Sequence, residues 1–418
     1  MRATILAPGS RGDVQPYVAI GQALAALGHR STIVTTLDHE VLVRAHGLDV
    51  APLPIRVADE LARVEARRAV EGGGVLASFR EFAAIARRAS RALAEVGLAA
   101  SRGADVLVTN FSTALVADGI SRKLGVPLVQ AYNVPATASS EIPGALFPRL
   151  DLGGWSRRLG HRLTRAALWS TGRTAAGDAC REILDAPSAP RFAPGRAGLL
   201  PGPVLYGFSE AFLARPADWP DEARTTGFWF VEEPDDFAPP AELVRFLEAG
   251  PPPVCVGFGS MNTENPEALR DIVLGAAEAS GLRMILLSGW AGLDRGRATG
   301  DVFVLGDVPH TWLFPRCSAV VHHGGAGTTA AAVRAGVPAV VVPFHGDQPF
   351  WAARVERAGL GPSPIPSREL GAARLAAAMK AAATDPALRA RAAEVGLAVR
   401  SERGAEVAAR ELVALAFP

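Results

Sequence analysis

A chain of 418 residues is too long for one ordinary hydrophobic core, so two domains are expected. With 49% hydrophobic and 20% charged residues it has a globular composition, and a formal net charge of +1 gives no electrostatic reason to bind nucleic acid. Cysteine occurs only at Cys180, Cys255 and Cys317, which fit no metal-binding spacing and read as buried thiols, and the Ala, Gly, Pro and Arg abundance reads as a GC-rich genome.

The N-terminal apolar run is soon broken by Pro8 and Gly9, so it reads as a first strand and not a signal peptide. No apolar run approaches the roughly 20 residues that span a bilayer. A cytoplasmic protein is expected. Residues 2–7 are a buried strand, Gly-rich GSRGD a turn, and Val14–Leu27 a helix stopped by Gly28. Strands at 31–36 and 49–53 flank a helix at 38–46; helices follow at 58–71 and 75–100. Strand 105–110, helix 112–124 and a strand opening with PLVQAYN complete a strand–helix alternation that implies a parallel sheet. Residues 141–155 read as loop, 156–184 as helices, and the proline-rich stretch 216–253 as a linker with a short helix at 240–249. Alternation restarts with PVCVGFGS, helix 265–280, RMILLS, DVFVLGD, AVVHH, helix 327–335, AVVVPF and helix 349–358, with helices to the end. Each half opens with a buried strand running into a glycine–serine turn, APGSRGD and VGFGSMN. In an open α/β sheet such turns lie at the carboxyl ends of the strands, where ligands bind.

The second half holds HHGGAGTT, glycines and threonines between a strand and an alanine-rich helix. Glycine lets backbone approach a ligand, and a helix N-terminus offers amides to an anion, so a phosphate-bearing ligand is expected. Gly325-Ala-Gly327-Thr-Thr-Ala330 fits G-x-G-x-x-A, and Asp347 lies about 20 residues further on, where a dinucleotide site keeps its ribose acid. A nicotinamide-dependent oxidoreductase is therefore an alternative. Against it, the motif lies deep in the second half and not in an opening βαβ unit.

HHGGAGTTAAAVRAGVPAVVVPFHGDQPFWAARVERAGLGP resembles the donor-binding segment of family-one glycosyltransferases, most of all sterol 3β-glucosyltransferases and their bacterial relatives. PGSRGDVQPYVAIGQALAALGH, GFGSMNTENPEALRD, SGWAGL and VPHTWLFPRCSAVVHHGGAGTT extend the likeness along the chain. The resemblance implies the GT-B fold, two Rossmann-like α/β domains facing across a cleft with a C-terminal helix crossing back. Residues 1–215 would bind the acceptor, 216–240 link, 241–398 bind the nucleotide sugar, and 399–418 pack back on the first domain. It implies an inverting, metal-independent transfer of a hexose from a nucleotide diphosphate sugar, UDP-glucose foremost, to a sterol-like alcohol. A polyketide or macrolide aglycone with a UDP- or dTDP-sugar is the alternative within the family. No cofactor is implied beyond the co-substrate.

By the same resemblance His323 points at the diphosphate, with Gly325, Gly327, Thr328 and Thr329 offering N–H groups and hydroxyls to it. Ser260 adds a donor from the first turn, Gly12 belongs to the donor site from the opposite domain, and Val308 lies where backbone groups read the base. Asp347 and Gln348 match the pair that binds sugar hydroxyls; capping of the following helix is the other reading for Asp347. His322 reads as structural. Two departures from the plant-type pattern are Leu305, at the base-stacking tryptophan, and Ala331, at the ribose-binding glutamate; Trp312 is not the stacking residue. Asp13 stands where many relatives carry histidine and is the expected general base, with helix capping as its structural reading. Asn110 replaces the acid that would orient such a histidine. Acceptor contacts are expected within 55–100 and 133–170; Tyr132, Phe147, Trp155 and Trp169 are apolar enough to serve, although core packing accounts for any one of them. Arg158, Arg162 and Arg165 fall near one helical face with Leu159 and Leu163 on another, which reads as a solvated helix or as peripheral docking to anionic lipid.

Overall fold

The structure, a computed structural model, describes residues 1–56, 59, 75–187, 189–231, 237–259, 266–287, 298–306 and 308–417. The chain divides into two compact units. The first contains Met1–Phe208, Arg215–Val231 and Arg403–Pro418. Its sheet is built from β1 (Arg2–Leu6), β2 (Arg30–Thr36), β3 (Asp49–Leu53), β4 (Val106–Thr109), β5 (Leu128–Tyr132), β6 (Val204–Tyr206) and β7 (Ala223–Thr225). They lie in the order β3-β2-β1-β4-β5-β6-β7, and every pairing is parallel. Central strands of a parallel sheet are covered on both faces, which is why RATIL and VLVT are runs and not alternations.

On one face α1 (Arg11–Ala26) packs beside α13 (Gly404–Ala416), burying Tyr17, Ile20 and Leu24 with Ala408, Ala409 and Leu412. The other face carries α3 (Val75–Ala100), α4 (Ala114–Leu124) and α5 (Gly154–Glu182), whose Leu93, Ile120 and Trp169 share a second core. Helix α2 (Glu40–Ala45) joins β2 to β3. The middle expected as several helices is the single 29-residue α5. The proline-rich stretch expected as linker is divided. Residues up to Val231 belong to the first unit, because Ala223–Thr225 pairs with β6 and Trp219, Trp229 and Val231 are buried.

The second unit contains Ser209–Ala214 and Glu232–Glu402. Its strands are β8 (Val254–Gly257), β9 (Met284–Leu287), β10 (Ala298–Thr299), β11 (Val302–Leu305), β12 (Ala319–His322) and β13 (Ala339–Val341), in the order β10-β11-β9-β8-β12-β13. Among the described residues only the edge pair β10–β11 is antiparallel. The helices are α6 (Ala241–Glu248), α7 (Pro266–Ser280), α8 (His310–Leu313), α9 (Ala326–Ala335), α10 (Gln348–Arg357), α11 (Ala372–Thr384) and α12 (Pro386–Ser401). The short segment Ser209–Ala214 is tied to this unit by Arg354, whose guanidinium donates to the Phe212 carbonyl at 2.9 Å, and by Phe212 stacking on Trp351.

Strand order sets where ligands go. In the first sheet the chain leaves β1 toward β2 on one side and returns as β4 on the other; in the second, β8 is flanked by β9 and β12. Loops leaving adjacent carboxyl ends in opposite directions open a crevice. The turn after β1 carries Asp13, and that after β4 carries Asn110. The turn after β8 carries Gly259, and that after β12 carries His323.

Candidate functional site

In the second unit the turns after β8 and β12 touch. A Cβ placed on Gly259 would lie 3.3 Å from Cε1 of His323, and one on Gly325 would lie 2.5 Å from its Nε2. The imidazole is thus seated between two residues that have no side chain, and Gly259 also holds φ at +63°. Burial lowers the His323 pKa to about 4, with the nearby His345 adding to the effect. The ring is neutral at pH 7 and has one N–H to give. Its Nδ1 is buried with no partner among the described residues.

His322 has the structural task expected of it. It is fully buried, its Nδ1 accepts the Gly324 N–H at 3.0 Å, and burial lowers its pKa to about 3. This bond closes the turn that aims the following residues at α9. At the start of α9 the amides of Ala326, Gly327 and Thr328 have no carbonyl one turn back within the helix. A Cβ on Gly327 would meet nothing within 4 Å among the described residues, which leave the helix end open. The hydroxyl of Thr328 has no hydrogen bond among the described residues. Thr329 corrects the expectation placed on it. It is buried, and both its N–H and its hydroxyl donate to the Gly325 carbonyl at 2.9 Å, so neither is left for a ligand.

Asp347 precedes α10, but its carboxylate does not cap the helix; it accepts the Trp351 indole N–H at 2.9 Å. Gln348 is buried, and its Oε1 accepts the amides of Phe344 and His345 at 2.8 and 3.2 Å. The pair therefore shapes the loop after β13, beside the turn that holds His323: a Cβ on Gly324 would lie 3.1 Å from the Gln348 carbonyl oxygen. Val308 is buried at the entry to α8, as is Leu305 at the end of β11. The Arg316 guanidinium lies over the Trp312 ring, 4.1 Å from its centre. Ser260 falls outside the described residues.

In the first unit α1 starts at Arg11, three residues earlier than the sequence suggests, because Ser10 and Asp13 cap it reciprocally. Oδ2 of Asp13 accepts both the N–H and the hydroxyl of Ser10 at 2.8 Å. Gly9 holds φ at +144°, and a Cβ there would lie 2.6 Å from that same oxygen. The capping reading of Asp13 is therefore realised for one oxygen, while Oδ1 has no partner among the described residues. Gly12 is exposed in the first turn of α1, and a Cβ there would meet only the Ser10 hydroxyl oxygen within 4 Å, at 3.8 Å. Asn110 does not approach this carboxylate as an orienting group. Its Oδ1 takes the amides of Ser112 and Thr113 at 2.9 and 3.1 Å and caps the entry to α4.

His39 was not singled out from the sequence. It sits just after β2, and its Nε2 lies 3.1 Å from the Gly9 carbonyl oxygen, bracing the turn that carries Asp13. Burial lowers its pKa, which keeps the neutral ring as the bracing form. The only signal for it in the sequence is its place at a strand's carboxyl end.

Of the apolar residues considered for the acceptor, Tyr132 and Trp169 belong to the interior. Tyr132 donates to Gln130 Oε1 at 2.6 Å, and the Trp169 indole donates to the Pro190 carbonyl at 2.8 Å. Phe147 and Trp155 are exposed.

The buried neutral histidines have a pH consequence. His161, held at about 4 by burial, joins His322 and His323 as groups whose folded pKa lies below the ordinary 6.5. The unfolded chain binds their protons first, so stability is lost as pH falls from 6.5 toward 4, by up to about 1.4 kcal/mol per group per pH unit. Thermal melts from pH 7 to 4.5 are expected to show that decline, and His322→Gln to show a shallower one. A flat profile over this range contradicts the neutral assignment.

Comparison with known proteins places both halves. Residues 3–106 match the glycosyltransferase family 28 N-terminal domain, and residues 287–415 match the erythromycin biosynthesis protein CIII-like C-terminal domain. A sterol 3-beta-glucosyltransferase of Arabidopsis thaliana is 34% identical over 380 residues, covering 88% of this chain and 58% of that protein. One of Debaryomyces hansenii is 32% identical over 418 residues, covering 96% of this chain and 26% of that protein. The chain thus spans between about a quarter and three fifths of the length of these relatives. Among solved structures, the glycosyltransferase SnogD from Streptomyces nogalater aligns with a TM-score of 0.64 at 21% identity, covering 99% of each chain. A spinosyn rhamnosyltransferase complexed with thymidine diphosphate aligns with a TM-score of 0.68 at 19% identity, covering 99% of this chain and 100% of that one. None of these comparisons supports the nicotinamide alternative. With a family 28 domain at its start, a CIII-like domain at its end and two parallel-sheet units of the kind these enzymes share, the chain belongs to the GT-B glycosyltransferases.

Proposed function

We propose that this protein transfers a hexose from a nucleotide diphosphate sugar to a hydroxyl of a sterol-like acceptor, with inversion and without a metal ion. The observation that carries this reading is the seat at the carboxyl ends of β8 and β12. A neutral imidazole fixed between glycines stands beside an open helix N-terminus. Such a seat suits the two negative charges of a diphosphate, and it stabilises the charge that grows on the leaving group through N–H donors alone. Asp13 is the base. Its free oxygen takes the acceptor's proton as that hydroxyl oxygen bonds to the anomeric carbon and the bond from that carbon to the diphosphate breaks. Glucose and a sterol are favoured because the relatives above are sterol 3-beta-glucosyltransferases.

A polyketide or macrolide acceptor with a dTDP-sugar is the second reading, supported by the CIII-like domain and by natural-product glycosyltransferases of the same fold. A panel of UDP- and dTDP-sugars crossed with sterols and polyketide aglycones, in EDTA and read by mass spectrometry, separates the two. The expected product is a sterol carrying one hexose, formed from UDP-glucose. Products on aglycones alone select the second reading, and no glycoside from any pair removes both.

A further inference from the structure

Scattered exposed apolar side chains are ordinary, but a cluster is not. Among the described residues, five of the ten large exposed apolar side chains fall between 147 and 163. Leu152 is 80% exposed, Trp155 68%, and Leu159 and Leu163 40% each. Trp155, Leu159 and Leu163 are spaced by four along α5 and form one stripe. The helix is not free to turn that stripe inward. Its other face buries Ser156, His161 and Thr164, and His161 Nε2 lies 3.1 Å from the Ile142 carbonyl oxygen.

The charges that the helix itself contributes beside the stripe are basic. Arg158 and Arg162 are exposed beside the stripe, and α5 has no acidic residue before Asp178. Arg158 reaches Asp218 at 3.2 Å, and Arg162 has no acidic partner among the described residues. Arg165 departs from the sequence expectation, since it turns aside to the carbonyls of Gly195 and Arg196. Leucines and a tryptophan interleaved with arginines match a bilayer interface, where rings and aliphatic chains enter the acyl boundary and guanidinium groups meet phosphates. A second copy of this chain fits poorly, because a two-fold contact would set these arginines against themselves.

We propose that the exposed apolar face formed by Leu152 and the first turns of α5, as far as Leu163, docks the protein on the surface of an anionic lipid bilayer. The face is also well placed. The loop leading to it leaves the carboxyl end of β5, and its first residues are fixed there by the Ala136 and Thr137 amides donating to the Tyr206 hydroxyl. The inference stands whichever acceptor the enzyme uses.

Co-flotation of the full chain with phosphatidylcholine vesicles containing phosphatidylglycerol, at low salt, tests it. The wild type is expected to float with these vesicles and less with pure phosphatidylcholine. The double variant Trp155→Ser, Leu159→Ser should partition at least about tenfold less, and Arg162→Gln about fivefold less. Leu397→Ser, at an exposed apolar position elsewhere, should match the wild type. All are surface changes, so unchanged thermal melts are expected; should the double variant not fold, Arg162→Gln carries the test. Wild type that stays at the bottom at low salt overturns the proposal. So does equal flotation of the variants, or a wild-type dimer that the double variant converts to monomer.

Discussion

Asp13→Asn is expected to lower turnover by about 10²- to 10⁴-fold at saturating acceptor while leaving the affinity for UDP unchanged. Asparagine keeps an oxygen for the Ser10 amide and hydroxyl, so the reciprocal cap at the start of α1 survives and only proton acceptance is lost. Asp13→Ala removes both, so it should match Asp13→Asn in turnover and add a stability loss of about 1 kcal/mol from the missing cap. The two roles of this carboxylate are thereby separated by comparing rates with melts. If Asp13→Asn keeps near-normal turnover, the residue is a cap and nothing more, and the base lies elsewhere.

The second large effect is expected at the imidazole after β12. His323→Ala should lower kcat by about 10²- to 10³-fold, the usual loss when one donor to developing charge is removed. His323→Gln, which still offers an N–H, should recover part of it. Because burial holds this ring at about 4, it acts as a neutral donor; kcat should show no step near pH 6.5 that disappears in His323→Gln. Gly325→Ala approaches the same group from its neighbour. The new methyl would overlap Nε2, so the ring must move, and a displacement of about 1 Å is worth about 100-fold in rate. A Gly325→Ala enzyme with wild-type kinetics would show that the ring's seat is irrelevant to the reaction.

Much of the architecture was legible because buried parallel strands are written as short apolar runs, and glycine turns follow them at the ligand edge. RATIL, VLVT and AVVH are such runs, and the turns that carry Asp13 and His323 follow two of them. Proline misled the reading of the middle. It marks a linker only if nothing pairs with the chain, and Ala223–Thr225 finds an open edge at β6. A side chain's role was legible where its place alone decides it, as with His322, which ends a buried strand and closes the turn after it. It was not where one residue type serves two purposes. Thr329 at a helix start reads as a donor to a ligand, but a threonine hydroxyl can also bond back to the carbonyl one turn before, and here it does. Asp347 was weighed as cap or sugar ligand; it does not cap the helix, and its carboxylate holds an indole four residues on, a partner that only the helix geometry makes evident. His39 could not be found from the sequence, because its contact with the Gly9 carbonyl crosses from one strand end to the next.

The central claim is that the strand ends around His323 and the start of α9 hold a nucleotide diphosphate. Calorimetric titration of UDP into the metal-stripped wild-type protein tests it most directly, with His323→Ala and NADH as comparisons. Saturable binding of UDP in EDTA, weakened at least about tenfold in His323→Ala and not displaced by NADH, is the expected result. No heat with UDP or dTDP, or UDP binding that His323→Ala leaves intact, would contradict it.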